Sequence, residues 1–200
     1  DLVVSSNFLP FMNQCLSFYN NFPKVLSISG YTIPIQVPKA YSFDVYAFPR
    51  VSSHGWATWR NKWRDIDWEV KDFEEFKQSA ANRRDFRSNG SDLYRMLNRQ
   101  MIGKIDSWAI RWQYHLYKHQ LYTIYPTVSK IENVGFGADA THTRGFNRFQ
   151  TTLDKNNDSD FKLLQSVKPD ENIYDQFKDF YSVRSRGVAK AKQLLLRIFN

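Results

Sequence analysis

Apolar positions recur along this chain with two periods. Leu2, Val3 and Val4 form a short apolar run that reads as the end of a strand, and Phe8, Phe11, Met12 and Leu16 then follow at helical spacing. Residues 24–31 (KVLSISGY) and 41–48 (YSFDVYAF) are rich in β-branched and aromatic side chains and read as strands, with Pro34, Pro38 and Pro49 punctuating the stretch between and after them. Trp56, Trp59 and Trp63 then fall on one face of a helix expected to begin near Gly55, and that face should be buried. A polar helix is expected over residues 70–82, with Phe73, Phe76 and Ala80 on its apolar side, and Ser91 is placed to cap the run holding Leu93, Met96 and Leu97.

Gly103 interrupts that helix. Ile105, Trp108, Ala109, Trp112 and Leu116 form a new apolar stripe, with Asp106 in its first turn. Residues 121–125 (LYTIY) read as a strand stopped by Pro126, and residues 131–137 (IENVGFG) lead into a Gly-containing loop through His142. Residues 156–160 (NNDSD) are a turn-rich interruption, and a basic helix is expected from about Ser182 to the end. There is no internal repeat, and the alternation of strands with helices predicts an α/β fold, a mixed sheet flanked by helices.

Composition narrows the function classes. A chain of 200 residues, 42% hydrophobic and 16% aromatic, can build a real core. No apolar run approaches the roughly 18 consecutive residues of a membrane-spanning helix, so a soluble or peripheral protein is expected. The lone Cys15 excludes an intramolecular disulfide, and with only His54, His115, His119 and His142 beside it a Cys/His metal cluster is excluded; a reducing compartment follows. His115 and His119, at i and i+4 with no evident third ligand, read as surface or packing residues.

The net charge of +8 is uneven. Arg184, Arg186, Lys190, Lys192 and Arg197 lie within residues 182–200 with no acid among them, while Val188, Leu195, Ile198 and Phe199 can gather on one side. This segment reads either as an amphipathic helix that lies on an anionic membrane surface, or as a packed terminal helix with a solvated basic face or an RNA-binding tail. At its other end the chain opens on Asp1-Leu2-Val3-Val4-Ser5, with neither Met nor a signal-peptide pattern, and is expected to continue a longer upstream segment.

The ordered set Asp1-Leu2, Ser27-Ile28-Ser29-Gly30-Tyr31, Arg50, Ser52 through Trp59 (SSHGWATW), Asp106-Ser107-Trp108-Ala109, and Asn133 through Gly137 (NVGFG) leading to Thr141-His142 resembles nucleotide-sugar-dependent glycosyltransferases of the GT-A fold. The likeness is to bacterial family 2-type sugar transferases that share features with N-acetylglucosaminyltransferase I, and it spans about residues 1–145. It implies that residues 1–150 are the C-terminal, metal- and acceptor-side portion of such a fold, with the nucleotide-binding half upstream, and that residues 151–200 are a helical extension ending in the basic tail. This chain alone would then bind nucleotide sugar weakly and turn over little.

The resemblance also implies roles. Asp1 matches the last member of the acidic cluster that binds a divalent metal, Mn²⁺ or Mg²⁺, which neutralises the departing diphosphate. Asp106 matches the general base that takes the acceptor hydroxyl proton in an inverting transfer, or else caps the helix that follows it. Trp108 would offer a sugar ring an apolar platform. Gly55 and Trp56, with His54 beside them, match the segment that shapes the donor-sugar and acceptor pocket, although Trp56 also reads as core with Trp59 and Trp63. His142 and Arg144 would lie near the diphosphate. The partners implied are a nucleotide-sugar donor and a glycan or lipid-linked glycan acceptor. The location implied is cytoplasmic, peripheral on the inner face of the membrane.

The competing class is a basic nucleic-acid-binding module without catalysis. Interleaved pairs such as Arg111-Trp112 and residues 146–149 (FNRF) favour it, but no recognised nucleic-acid-binding signature is present, and no nucleic acid is expected.

Overall fold

The computed structural model describes residues 2–135 and 147–198, with the side chains of 195–198 left out. Its elements in chain order are β1 (Leu2–Val4), α1 (Phe8–Tyr19), β2 (Val25–Ser29), β3 (Val45–Phe48), β4 (Trp56–Thr58), α2 (Arg60–Arg64), α3 (Phe73–Gln78), α4 (Ala80–Ser88), α5 (Leu93–Met101), α6 (Trp108–Lys118), β5 (Tyr122–Pro126), β6 (Ile131–Asn133), α7 (Glu171–Phe180) and α8 (Val183–Ile198). The main sheet is mixed, in the order β3-β5-β2-β4, with β2 and β5 parallel and the other two pairings antiparallel. A second, antiparallel ribbon joins β1 to β6, Val4 opposite Ile131. The chain is therefore α/β, a mixed sheet flanked by helices.

The period-2 pattern of β3 shows how both faces of the sheet are covered. Val45 and Ala47 pack with Phe11, Met12, Cys15 and Tyr19 of α1, whereas Tyr46 and Phe48 pack with Ile173 and Phe177 of α7. Leu26 of β2 packs with Trp112 and Leu116 of α6. Between β2 and β5 the buried hydroxyls of Ser27 and Thr123, 2.8 Å apart, satisfy one another. A separate cluster, built on Phe73, Phe76, Phe86, Leu97 and Tyr114, ties α3, α4, α5 and α6 into a helical layer. Residues beyond 150 join these cores: Phe161, Leu163 and Leu164 pack beneath α1, and Leu153 bridges to Ser129.

Several elements differ from the reading of the sequence. No helix begins near Gly55; Trp56 lies on β4, opposite Ser29 of β2, and the helix starts after Trp59. Pairing with an open sheet edge outweighs the helical spacing of the three tryptophans. Trp56 and Trp63 nevertheless stack, with ring centroids 5.4 Å apart, while Trp59 turns away and donates its Nε1–H to the Leu16 carbonyl. The polar helix over residues 70–82 is two helices, broken at Ser79, whose side chain caps α4 through Asn82 N–H. The start of α5 is not capped by Ser91; Asp92 holds the N-cap position, and the Ser91 hydroxyl donates to the Tyr181 carbonyl. The helix α7 lies within the helical extension expected over residues 151–200, where no apolar pattern had marked it. Its apolar face is Ile173 and Phe177, buried, with Tyr174 and Phe180 partly buried beside them.

Candidate functional site

Residues 49–55, between β3 and β4, are held from three sides. The side-chain amide of buried Gln113 on α6 accepts from Val51 N–H at 2.7 Å and donates to the Pro49 carbonyl at 3.2 Å. The Tyr125 hydroxyl donates to the Arg50 carbonyl at 2.6 Å. At the far end, the Gly55 carbonyl accepts from Gly30 N–H at 2.7 Å. Gly55 has φ +52°, and a Cβ there would stand 1.7 Å from Ile131 Cδ1, so this position requires glycine both for its backbone and for its neighbour on β6. The loop is rigid by construction rather than by its own sequence.

This loop forms one wall of a cavity of about 420 Å³ whose other walls come from α5, α6, Tyr31, Tyr125 and the start of α8. His54 lines it, its ring 5.5 Å from that of Tyr31, and burial pulls its imidazole pKa below the usual value. At the base of the cavity Arg50 makes a two-pronged pair with Asp92, at 3.2 and 2.9 Å, donates to the Asn89 carbonyl, and lies 3.7 Å from the centre of the Tyr181 ring. Burial alone would raise the Asp92 pKa; the charge and hydrogen bonds of Arg50 reverse that and lower it. Gly90 makes room for this arrangement, because a Cβ there would meet Arg50 Nη1 at 1.9 Å. None of Arg50, Asp92, Gln113 or Tyr181 was singled out as a site residue, except Arg50 as part of the resemblance. Their partners lie about forty to ninety residues away, and no local pattern marks such pairings.

Next to the cavity, β4 and the start of α6 meet in a tryptophan cluster. The Trp56 ring lies 5.3 Å from Trp108, 4.8 Å from Trp112 and 5.4 Å from Trp63. Trp56 is therefore packed against this cluster, while Trp108 keeps 39% of its surface open to solvent. Asp106 precedes α6 instead of lying in its first turn. Ser107 takes the N-cap position and α6 has no side-chain cap, so Asp106 does not cap it. Gln100 holds this segment by accepting from Ser107 N–H at 2.5 Å. The Asp106 carboxylate, 97% exposed, reaches only Arg111 among the described residues, at 3.4 Å, and lies outside the described lining of the cavity. The Arg111 guanidinium also donates to the Trp68 carbonyl at 3.2 Å.

The structure thus joins Trp56 to Trp108 and places His54 on the cavity, with Gly55 fixing the turn between them. Asp1, His142 and Arg144 lie outside the described residues. Among the described residues no group of three or more His, Cys, Asp or Glu side chains could hold a metal ion, and no helix is long and apolar enough to cross a membrane. The rings of His115 on α6 and of His119, its C-cap residue, lie 4.4 Å apart and tilted, and burial together with His119 pulls the His115 pKa down to about 4, in keeping with a packing role. Comparison with protein-family models, with curated proteins and with solved structures finds no match to this chain.

Proposed function

We propose that this chain is the acceptor-side portion of an inverting, nucleotide-sugar-dependent glycosyltransferase of GT-A type. The observation that carries the proposal is the contact between Trp56 and Trp108, which brings the His54-Gly55-Trp56 turn and the Asp106-Ser107-Trp108 segment to one place from fifty residues apart. A rigid turn, an exposed indole and an exposed carboxylate side by side are what a sugar acceptor needs. Trp108 stacks on the ring, and Asp106 accepts the proton of the acceptor hydroxyl. As that oxygen bonds to C1 of the donor sugar, the C1–O bond to the diphosphate breaks and its electron pair leaves with the nucleoside diphosphate. A cap role for Asp106 would compete with this assignment, and Ser107 occupies the cap instead. Arg111, 3.4 Å away, orients the carboxylate.

The divalent cation with Asp1, and His142 and Arg144 at the diphosphate, belong to the same proposal through the resemblance alone, and no step is routed through them. The proposed setting is cytoplasmic, on the inner face of a membrane, with a glycan or lipid-linked glycan as acceptor and residues 182–200 at the anionic surface.

The test is transfer by the gene product that contains this sequence, supplied with Mn²⁺, a panel of nucleotide sugars and glycan acceptors, and read as nucleoside diphosphate release. Asp106→Asn should lower kcat about 10²- to 10⁴-fold, with the donor KM and the melting temperature little changed. Unchanged transfer in that variant would falsify the base assignment. Steeply salt-dependent binding of single-stranded nucleic acid without any transfer would favour the competing class.

A further inference from the structure

A second, outer groove of about 580 Å³ adjoins the cavity, and the two share Arg148, Phe149 and Arg186 as lining residues. Its charged lining is Arg95 from α5, Arg148, and Arg186 and Lys190 from α8, with no acidic side chain among the described lining residues. The inner cavity differs, since the one carboxylate among its described lining residues, Asp92, is already paired with Arg50. Four cations on three separate segments therefore converge without a carboxylate in salt-bridge range of any of them among the described residues.

Two of the four are held in place. Arg148 is half-buried, donates to the Phe180 carbonyl and lies 4.4 Å from the Phe180 ring centre. Arg186, also half-buried, donates to the Ser91 hydroxyl at 3.2 Å. The crowding has an electrostatic cost. Burial, reinforced by the neighbouring charges of Arg186 and Arg50, lowers the Arg148 pKa despite the opposing effect of Tyr181. Arg95 and Lys190 are exposed at the mouth of the groove. Like charges gathered at a concave surface raise the local positive potential, and a ligand that carries several negative charges relieves it. A single carboxylate would neutralise only one of them; a phosphate or diphosphate matches both their number and the planar, bidentate donors of arginine.

We propose that Arg95, Arg148, Arg186 and Lys190 form a binding site for the phosphate or diphosphate group of the acceptor. That acceptor role rests on the glycosyltransferase reading; the anion site itself rests on the groove. The acceptor class is thereby narrowed to phosphorylated glycans, whether carried on a lipid or free in solution.

Calorimetric titration of the protein with inorganic pyrophosphate tests the site without turnover. Arg186→Ala with Lys190→Ala should weaken binding at least about tenfold, and Arg95→Ala about two- to fivefold. Arg184→Ala, which removes an exposed cation of α8 outside the groove, should change it less than twofold. Equal losses in Arg184→Ala and in the groove variants would mean diffuse charge and would overturn the site, as would absence of pyrophosphate binding by the native chain. Phosphatidylcholine vesicles with and without a polyprenyl diphosphate supply the second arm. Weakening of both pyrophosphate and diphosphate-vesicle binding in the groove variants assigns the group to a lipid carrier, and weakening with pyrophosphate alone assigns it to a soluble sugar phosphate; both support the site. The two readings fail separately, because Asp106→Asn affects transfer and should leave pyrophosphate binding intact.

Discussion

Lys130–Asp154 and Arg50–Asp92 are both ion pairs taken out of water, yet one is sealed and the other opens on a cavity. The Lys130 and Asp154 side chains keep 5% and 6% of their surface, against 12% and 15% for Arg50 and Asp92. Around the sealed pair, Asp154 also accepts from Asn7 at 3.0 Å and from Asn156 N–H at 2.9 Å, and the Lys130 ammonium lies 4.8 Å from the centre of the Phe161 ring. The Lys130 backbone binds both Ser5 and Gly30, so this pair fixes β1 and α1 relative to β6 and the Gly55 turn. Around the open pair, the guanidinium still presents a face to Tyr181 and an edge to the cavity. The contrast points to a division of labour: the first pair holds the frame, and the second holds the wall of the cavity while masking Asp92, the one carboxylate among its described lining residues.

The largest effect should come from the sealed pair. Asp154→Ala leaves the Lys130 ammonium buried without its partner and should cost about 3–5 kcal/mol in urea unfolding; a loss below about 1 kcal/mol would mean that water reaches the lysine and that the two pairs do not differ. Next is Asp92→Asn, expected to cost about 1.5–3 kcal/mol, because Arg50 keeps the Asn89 carbonyl and the Tyr181 ring. The same variant unmasks Arg50 and should tighten pyrophosphate binding; weaker binding would contradict the masking role. Smaller still is the double variant Lys130→Met with Asp154→Leu. Removing both charges together should cost only about 1–2 kcal/mol, chiefly the lost Asn7 hydrogen bond, whereas a cost equal to that of Asp154→Ala would show that the pair supplies net stability.

Acid makes the finest comparison. Asp92 and Asp154 both have pKa values below the usual carboxylate range, Asp154 because hydrogen bonds from Lys130 and Asn7 outweigh the opposing effect of burial. The unfolded chain binds these protons first, so each pair contributes its stability in full above about pH 4 and loses it as the pH falls through the lower folded value. The stability gap between the native protein and either Asp→Asn variant should therefore narrow as the pH falls below about 4. A gap that stays constant as the pH falls would place the effect in packing instead of charge.

Local periodicity made much of this molecule legible. The strands β2 and β3 and the helices α1 and α6 fall where the apolar spacing predicts them, and β5 does so but runs on through Pro126, while β6 reads only as the start of a loop. Trp56, Trp59 and Trp63 misled because their spacing satisfies a helix while the edge of β2 offered a strand partner, and spacing cannot see that edge. Ile173, Tyr174, Phe177 and Phe180 of α7 take their places only against the aromatic face of β3 and β5 that receives them. At the site, His54, Gly55, Trp56 and Trp108 could be singled out from sequence, Arg148 stood out only within the FNRF run, and Asp92, Gln113 and Tyr181 did not stand out. Each of the last four takes its meaning from a contact that only the folded chain makes.

The parallel pairing of β2 with β5 also sets a schedule. Ser27 and Thr123, joined across it, are 96 residues apart in the chain. At the ribosome's pace of about 5–20 residues per second, the strand Val25–Ser29 waits roughly 5–20 s for its partner to be synthesised. All five of its residues end up buried, so during that interval an apolar edge is left to α1 and to whatever else the nascent chain meets. Yield of the native protein should thus respond to translation speed and to chaperones that shield nascent chains, even when no interaction of the finished fold has been changed.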